Sequence, residues 1–328
     1  MKRFLREEGG RRGRPVHRIA PGPATSAESF AEIIGAGEDR HTPTFTTYDG
    51  TELAHRLRGK DEPLVCLAGG PMRDAAYLGD LGGLAVHRTL VLLDARGTGA
   101  SAEPADPGTY RCDRQLGDVE ALRAHLGPDR IDLLGHSAGG DLATLYAAAR
   151  PERIRSLVPV ASAARALGVT TTGEEWDAAA EVFADRPRYP EARAALDATG
   201  PDTPLSRMYG ITAPFSYGRW DDAARERAAA TDRQTRWEAA GAYHGEGAYH
   251  PAATRRALAA LTAPVLVLAG EHDPGPTPAR AAEAAALFPS AELAVQPGAG
   301  HYPWADDPGA FVRTAAAFLA RSGGRPNP

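Results

Sequence analysis

The stretch RIDLLGHSAGGDLATLYAAARPERI, residues 130–154, carries the residue types most suited to chemistry. An apolar run enters Gly135-His136-Ser137-Ala138-Gly139, and an Ala/Leu-rich segment leaves it. Serine and glycine are ordinary turn residues, so a plain Gly-rich turn accounts for the composition. The G-x-S-x-G spacing between a strand pattern and a helix pattern points to more. A sharp turn that thrusts Ser137 outward leaves no room for side chains two residues before and after it. A helix starting at Ala138 would aim its N-terminal dipole at developing negative charge.

A serine hydroxyl is a weak nucleophile. It needs a base to take its proton, an acid to orient that base, and donors for the oxyanion. The base is expected at His301 in PGAGHYPWADDP, a Gly-rich loop a few residues beyond the last strand pattern. His136 adjoins the serine but points to the other side of a strand, so it is read as a supporting residue. His244 and His250 are weaker candidates. The acid is expected at Asp273 in VLVLAGEHDPGPTP, in the loop after an apolar strand. Glu271 competes, but Asp273 lies beyond the strand and Pro274 follows it. The oxyanion donors are expected from the backbone N–H of Ala138 and from the loop after LVCLAGG, with Gly70 first and Gly69 second, since Pro71 has no N–H.

These residues need strand ends to hold them. TFTTYDGTELAHRLRG reads as a β-hairpin. The apolar runs at 63–70, 89–97 and 131–137 alternate with helical patterns, among them 113–127, where Leu116, Val119, Leu122 and Leu126 share a face. Such near-continuous apolar strands imply a parallel sheet covered on both sides. LVPVAS (157–162) reads as the next strand. The rhythm then breaks, and residues 163–257 are Ala-rich, helical and aromatic. It resumes with strands at 263–273 and AELAVQP, a helix at PARAAEAAALF, and a terminal helix at PGAFVRTAAAFLA. The expected domains are a tail over 1–42 with a short helix around AESFAEII, an α/β core over 43–162 and 258–322, a helical cap over 163–257, and a short tail over 323–328.

Composition narrows the function. The chain has 328 residues, 43% of them apolar, and a net charge of −5. Nucleic acid is not an expected partner. The one basic cluster, between Lys2 and Arg18, lacks interleaved aromatics and reads as a flexible arm. No apolar run suits a signal peptide or a membrane span. Cys66 and Cys112 lack metal-ligand spacing, and a reducing cytoplasm fits them best. No metal and no organic cofactor is implied. The partner expected is a small-molecule substrate of a monomer or homodimer.

The order Ser…Asp…His and the motifs AGGP (68–71), DARGTGAS (94–101), DVEALRAHLG, GHSAGGD, GEHDP and GAGHYPW together resemble the α/β-hydrolase superfamily. The branch they resemble is the proline iminopeptidase-like one. The resemblance covers nearly the whole chain after the tail. It implies a mostly parallel, doubly wound α/β sheet with an inserted helical cap, and a Ser137–Asp273–His301 triad. It also implies that Asp94 and Arg96 brace the sheet edge and take no part in catalysis. The chain departs from that branch in carrying Ala68 and Met72 around Gly-Gly-Pro, and Gly-His-Ser-Ala-Gly where the branch has Gly-Gly-Ser-Trp-Gly. Branch members hold a substrate amine with cap carboxylates, and Glu238 beside Trp237, or Glu246, would serve here. Trp237, Glu238 and Tyr302 are the expected substrate contacts.

The cap's aromatics, Trp176, Phe183, Tyr209, Phe215, Tyr217, Trp220, Trp237 and Tyr243, either form its own small core or line a pocket. The expected activity is hydrolysis of an ester, thioester, lactone or amide through an acyl-enzyme on Ser137. A carboxylester is favoured over a peptide. The rivals are a proline-selective aminopeptidase, a lyase or cyclase reusing the fold, and a non-enzymatic receptor.

Overall fold

The structure is a computed structural model and describes residues 42–323. The expected N-terminal tail, its short helix and its basic cluster lie outside the described residues, apart from Thr42. Eight strands form one sheet: β1 (Thr44–Thr46), β2 (Glu52–Arg58), β3 (Pro63–Leu67), β4 (Thr89–Leu93), β5 (Ile131–His136), β6 (Ile154–Val160), β7 (Val265–Gly270) and β8 (Ala291–Gln296). Their order is β1-β2-β4-β3-β5-β6-β7-β8. β1 and β2 form the expected antiparallel hairpin, β2 is antiparallel to β4, and every later pair is parallel.

The apolar runs are continuous because both faces are covered. Val65, Leu67, Val91, Leu93 and Leu133 enter a core on one face, with α1 (Leu116–Leu126) and α2 (Ala138–Ala149). Leu64, Cys66, Leu90, Leu92 and Leu134 enter a second core on the other, beneath α11 (Pro308–Gly323). Neighbouring residues thus serve opposite faces with period two. Gly127, in left-handed geometry at φ 94°, ends α1.

Between β6 and β7 the chain forms helices α3 (Gly173–Ala180), α4 (Tyr189–Asp197), α5 (Leu205–Thr212), α6 (Asp222–Gln234), α7 (Trp237–Tyr243) and α8 (Pro251–Leu258). α3 begins in a reciprocal cap between Thr172 and Glu175. Phe183 and Phe215 pack with Ala180 and Ala192 in a small core of this region's own. Its distal half behaves differently: Ala239, Ala240, Tyr243 and Leu258 join the main core. The sheet side is completed by α9 (Pro278–Ala285) and the short α10 (Pro303–Asp306). Among the described residues, no helix is long and apolar enough to cross a membrane.

The loop after β4 is a buried ionic brace. Arg96, fully buried, donates to both carboxylate oxygens of Asp118 and to Asp49. Asp94 accepts from Arg56 and from the Ala75 and Ala100 amides.

His55 on β2 is fully buried, 5.4 Å from His125 between ring centroids, and neither of its ring nitrogens has a hydrogen-bond partner among the described residues. Burial first, and His125 second, push its pKa down to about 4. The unfolded chain takes up this proton near pH 6.5, which the folded protein does not, so stability falls as the pH drops from 6.5 toward 4. The contribution is on the order of 3 kcal/mol. His244, also held at about 4 by burial, acts in the same direction. Urea unfolding at pH 7, 6 and 5 should show this slope, and His55→Phe should remove part of it. An unchanged slope in that variant would clear His55 of the effect.

Candidate active site

Parallel pairing sets β3, β5, β6, β7 and β8 in register, so their C-terminal ends share one edge of the sheet. That edge is where doubly wound sheets bind ligands. Ser137 follows β5 there with φ 53° and ψ −119°, a conformation that costs a non-glycine residue energy. Its N–H donates to Val160 O at 2.9 Å, and Gly140 N–H donates to its carbonyl at 2.9 Å. A Cβ on Gly135 would lie 2.3 Å from Gly139 O, and one on Gly139 would lie 2.4 Å from Leu67 O. The turn therefore needs glycine at both places.

A cavity of about 250 Å³ opens at this edge, and Ser137, Asp273 and His301 all line it. His301 Nδ1 lies 2.8 Å from Asp273 Oδ2, and Asp273 is 1% exposed. With Nδ1–H directed at the carboxylate, Nε2 is the nitrogen free to accept a proton. Glu271 is not on the cavity wall; its carboxylate accepts from Gly298 N and is half-exposed.

His136 links two loops. The Gly69 N–H donates to Tyr77 Oη at 2.7 Å, Tyr77 lies 2.7 Å from His136 Nδ1, and His136 Nε2 lies 2.8 Å from His301 O. One tautomer satisfies all three bonds: Tyr77 donates to Nδ1, and Nε2–H donates to the His301 carbonyl. Burial, then His301, holds the His136 pKa well below its ordinary value, so the ring stays neutral.

This chain narrows the oxyanion expectation. Gly69 spends its N–H on Tyr77 and has none left for a substrate, which corrects its place as a donor. Gly70 and Ala138 line the cavity, and their amides make no hydrogen bond among the described residues. Tyr209 donates to the Gly70 carbonyl.

Of the three expected substrate contacts, only Tyr302 is on the cavity wall. Its ring stacks on Tyr217 at 4.7 Å. Trp237 turns away, bonding Asp232 through Nε1 and packing on Tyr209. Glu238 and Glu246 are exposed and off the wall. A helix buries one face only, and α7 spends that face on Ala239, Ala240 and Tyr243. The cap aromatics divide, with Trp176, Tyr209 and Tyr217 lining the cavity while Phe183 and Phe215 fill the small core. His244 also reaches the wall, with Nδ1 2.7 Å from Tyr249 Oη. Sequence reasoning missed Arg73, Tyr77 and Arg165. An arginine two residues after Gly-Gly-Pro was the one available signal.

Backbone groups also tie the helices of 163–257 to this edge of the sheet. Asp306 Oδ2 accepts from Gly218 N and Gly300 N, and His301 N donates to Ser216 O. Arg236 N donates to Met72 O, and Asp74 N to Gln234 O.

Residues 62–308 match the family model described as alpha/beta hydrolase fold. The chain belongs to that family. Over 106 residues it is 40% identical to a proline iminopeptidase of Saccharolobus solfataricus, a match covering 32% of this chain and 34% of that protein. The chain thus spans about a third of the length of the first curated relatives it matches. Among solved structures it resembles a proline iminopeptidase of Mycobacterium smegmatis, with a TM-score of 0.65 and 25% identity over 86% of this chain and 98% of that one. It also shares its fold with an esterase from Rhodococcus, with a TM-score of 0.66 and 24% identity over 85% and 98% of the two chains. The eight-stranded, mostly parallel sheet flanked by helices is that of the family.

Tyr77→Phe would leave the buried Gly69 N–H and His136 Nδ1 unpaired. A loss of about 1–3 kcal/mol is expected, read by urea unfolding. No loss would mean that the relay does not hold the two loops.

Proposed function

We propose that this hydrolase cleaves a small ester, thioester or lactone through an acyl-enzyme on Ser137. The observation that carries the reading is the placement of Ser137, on a strained turn, in the same cavity as the His301–Asp273 pair. Ser137 Oγ attacks the substrate carbonyl as His301 Nε2 takes its proton. The Gly70 and Ala138 amides receive the oxyanion, and the α2 N-terminus favours the same charge. The bond to the leaving group breaks, and His301 returns the proton to that group. Water then gives a proton to His301 and attacks the acyl carbon, which releases the acid and restores the serine. Asp273 orients His301 and steadies its charged form. The helices over 163–257 act as a cap that limits substrate size.

The relatives' names favour a second reading, a proline-selective aminopeptidase. A free amine would need a carboxylate, and the only one on the wall, Asp273, is occupied by His301. This supports the ester over the peptide.

Ser137→Ala should abolish turnover of nitrophenyl acetate and butyrate while thermal unfolding stays unchanged. Asp273→Asn should lower kcat by about 10⁴, the loss the same change causes in a serine protease. Substantial ester turnover by Ser137→Ala would sink the mechanism. Turnover of prolyl-naphthylamide without the esters would establish the second reading.

A further inference from the structure

Four arginines are buried among the described residues: Arg73, Arg88, Arg96 and Arg123. Three of them meet carboxylates. Arg88 pairs with Asp132, Arg96 with Asp118 and Asp49, and Arg123 with Glu120. Arg73 is 3% exposed and faces neutral acceptors only: Nε and Nη2 donate to Gln234 Oε1, and Nη2 also donates to Arg227 O. Its guanidinium lies 4.3 Å above the Tyr77 ring. A buried charge without a counter-ion is costly, and buried charges are ordinarily paired. Arg73 is the exception, and it lines the cavity that holds Ser137.

The rest of the wall has the same bias. Arg165 is a second cation there, exposed and without an ion pair among the described residues. Its backbone is fixed, since Ala166 N donates to the buried Asp141 Oδ1 at 2.9 Å. Asp273, the wall's one carboxylate, is used on both oxygens, by His301 and by Gly275 N. Two cations therefore face one committed anion. The tyrosines around Arg73 carry its mark: burial raises the phenol pKa values of Tyr77, Tyr209 and Tyr302, and the guanidinium opposes that rise at each.

We propose that the substrate is anionic: an ester or lactone whose non-reacting end carries a carboxylate, received by Arg73 with Arg165 beside it. The proposal rests on the hydrolase reading above and names its substrate class. The bonds to Gln234 and Arg227 use three of Arg73's five N–H donors, on Nε and Nη2, and Tyr302 on the cavity wall is a further side-chain partner, so Nη1 is the edge a planar carboxylate would take. The anion also supplies the counter-charge that the fold withholds.

The test compares two nitrophenyl esters of equal chain length, the mono-ester of adipic acid and the hexanoate. Wild-type protein should favour the adipate in kcat/KM by about 10- to 100-fold, the worth of one or two charge-assisted hydrogen bonds. Arg165→Gln should lower that ratio, and Arg165→Glu should bring it below one. Arg73→Gln should bring it to about one. Because Arg73 also tethers α6, that variant counts only if fluorophosphonate still labels Ser137. A wild-type ratio at or below one, with both esters turned over, overturns the proposal. So does a ratio that survives all three variants. Free adipate should protect Ser137 from the fluorophosphonate better than inorganic phosphate does, and the reverse order would overturn the choice of carboxylate. If neither ester is turned over and Ser137 does not label, the failure belongs to the hydrolase reading.

Discussion

The backbone turn at Ser137 is the constraint on which the rest depends. With φ 53° and ψ −119°, the serine is held where few non-glycine residues sit. The turn persists because its surroundings leave no alternative. Val160 fixes its N–H, Gly140 fixes its carbonyl, and backbone oxygens stand where side chains at Gly135 and Gly139 would project. The strain lifts the hydroxyl off the sheet edge and starts α2 directly behind it. A relaxed strand-to-helix connection would bury the serine or aim the helix elsewhere.

Parallel pairing then brings distant segments to that turn. β7 delivers Asp273 and β8 delivers His301, because strands in register end together. Neighbouring loops are joined by polar side chains as well as by apolar packing. Gly69, Tyr77, His136 and the His301 carbonyl form one hydrogen-bonded series between the loop after β3 and the loop after β8. The series works only with His136 neutral, and burial keeps it so. Asp306 does the equivalent for the cap, binding amides of Gly218, Arg219 and Gly300 together.

Electrostatics separates two uses of arginine in the same fold. Arg96 is deeply buried and ringed by carboxylates, which locks the loop after β4 in place. Arg73 is nearly as deep but meets only neutral oxygens among the described residues, and it lines the same cavity as Ser137. The first arrangement is self-contained. The second leaves a buried cation without a carboxylate, and this difference is what the proposed anionic substrate answers.

Much of this was legible in the sequence because it depends on local pattern. Period-two apolar runs, alternating with helical ones, imply a covered parallel sheet. The glycines around Ser137 imply a tight turn. The loops holding Asp273 and His301 follow apolar strands whose ends a parallel sheet must align. Local pattern alone was enough to place the sheet and the helical insertion and to pick out a serine, an acid and a histidine that line one cavity. Only the tertiary structure decided which insertion residues reach the cavity. Ala-rich helices have weak faces, so nothing local says that α7 turns Glu238 to solvent while Tyr209 and Tyr217 turn inward. Likewise, no spacing reveals that Arg73 lacks a carboxylate or that Gly69 gives its N–H to Tyr77. Arg73's partners lie 154 and 161 residues along the chain, while Tyr77, only 8 residues from Gly69, meets it through the path of the loop, and a hydrogen bond is specified by position in space.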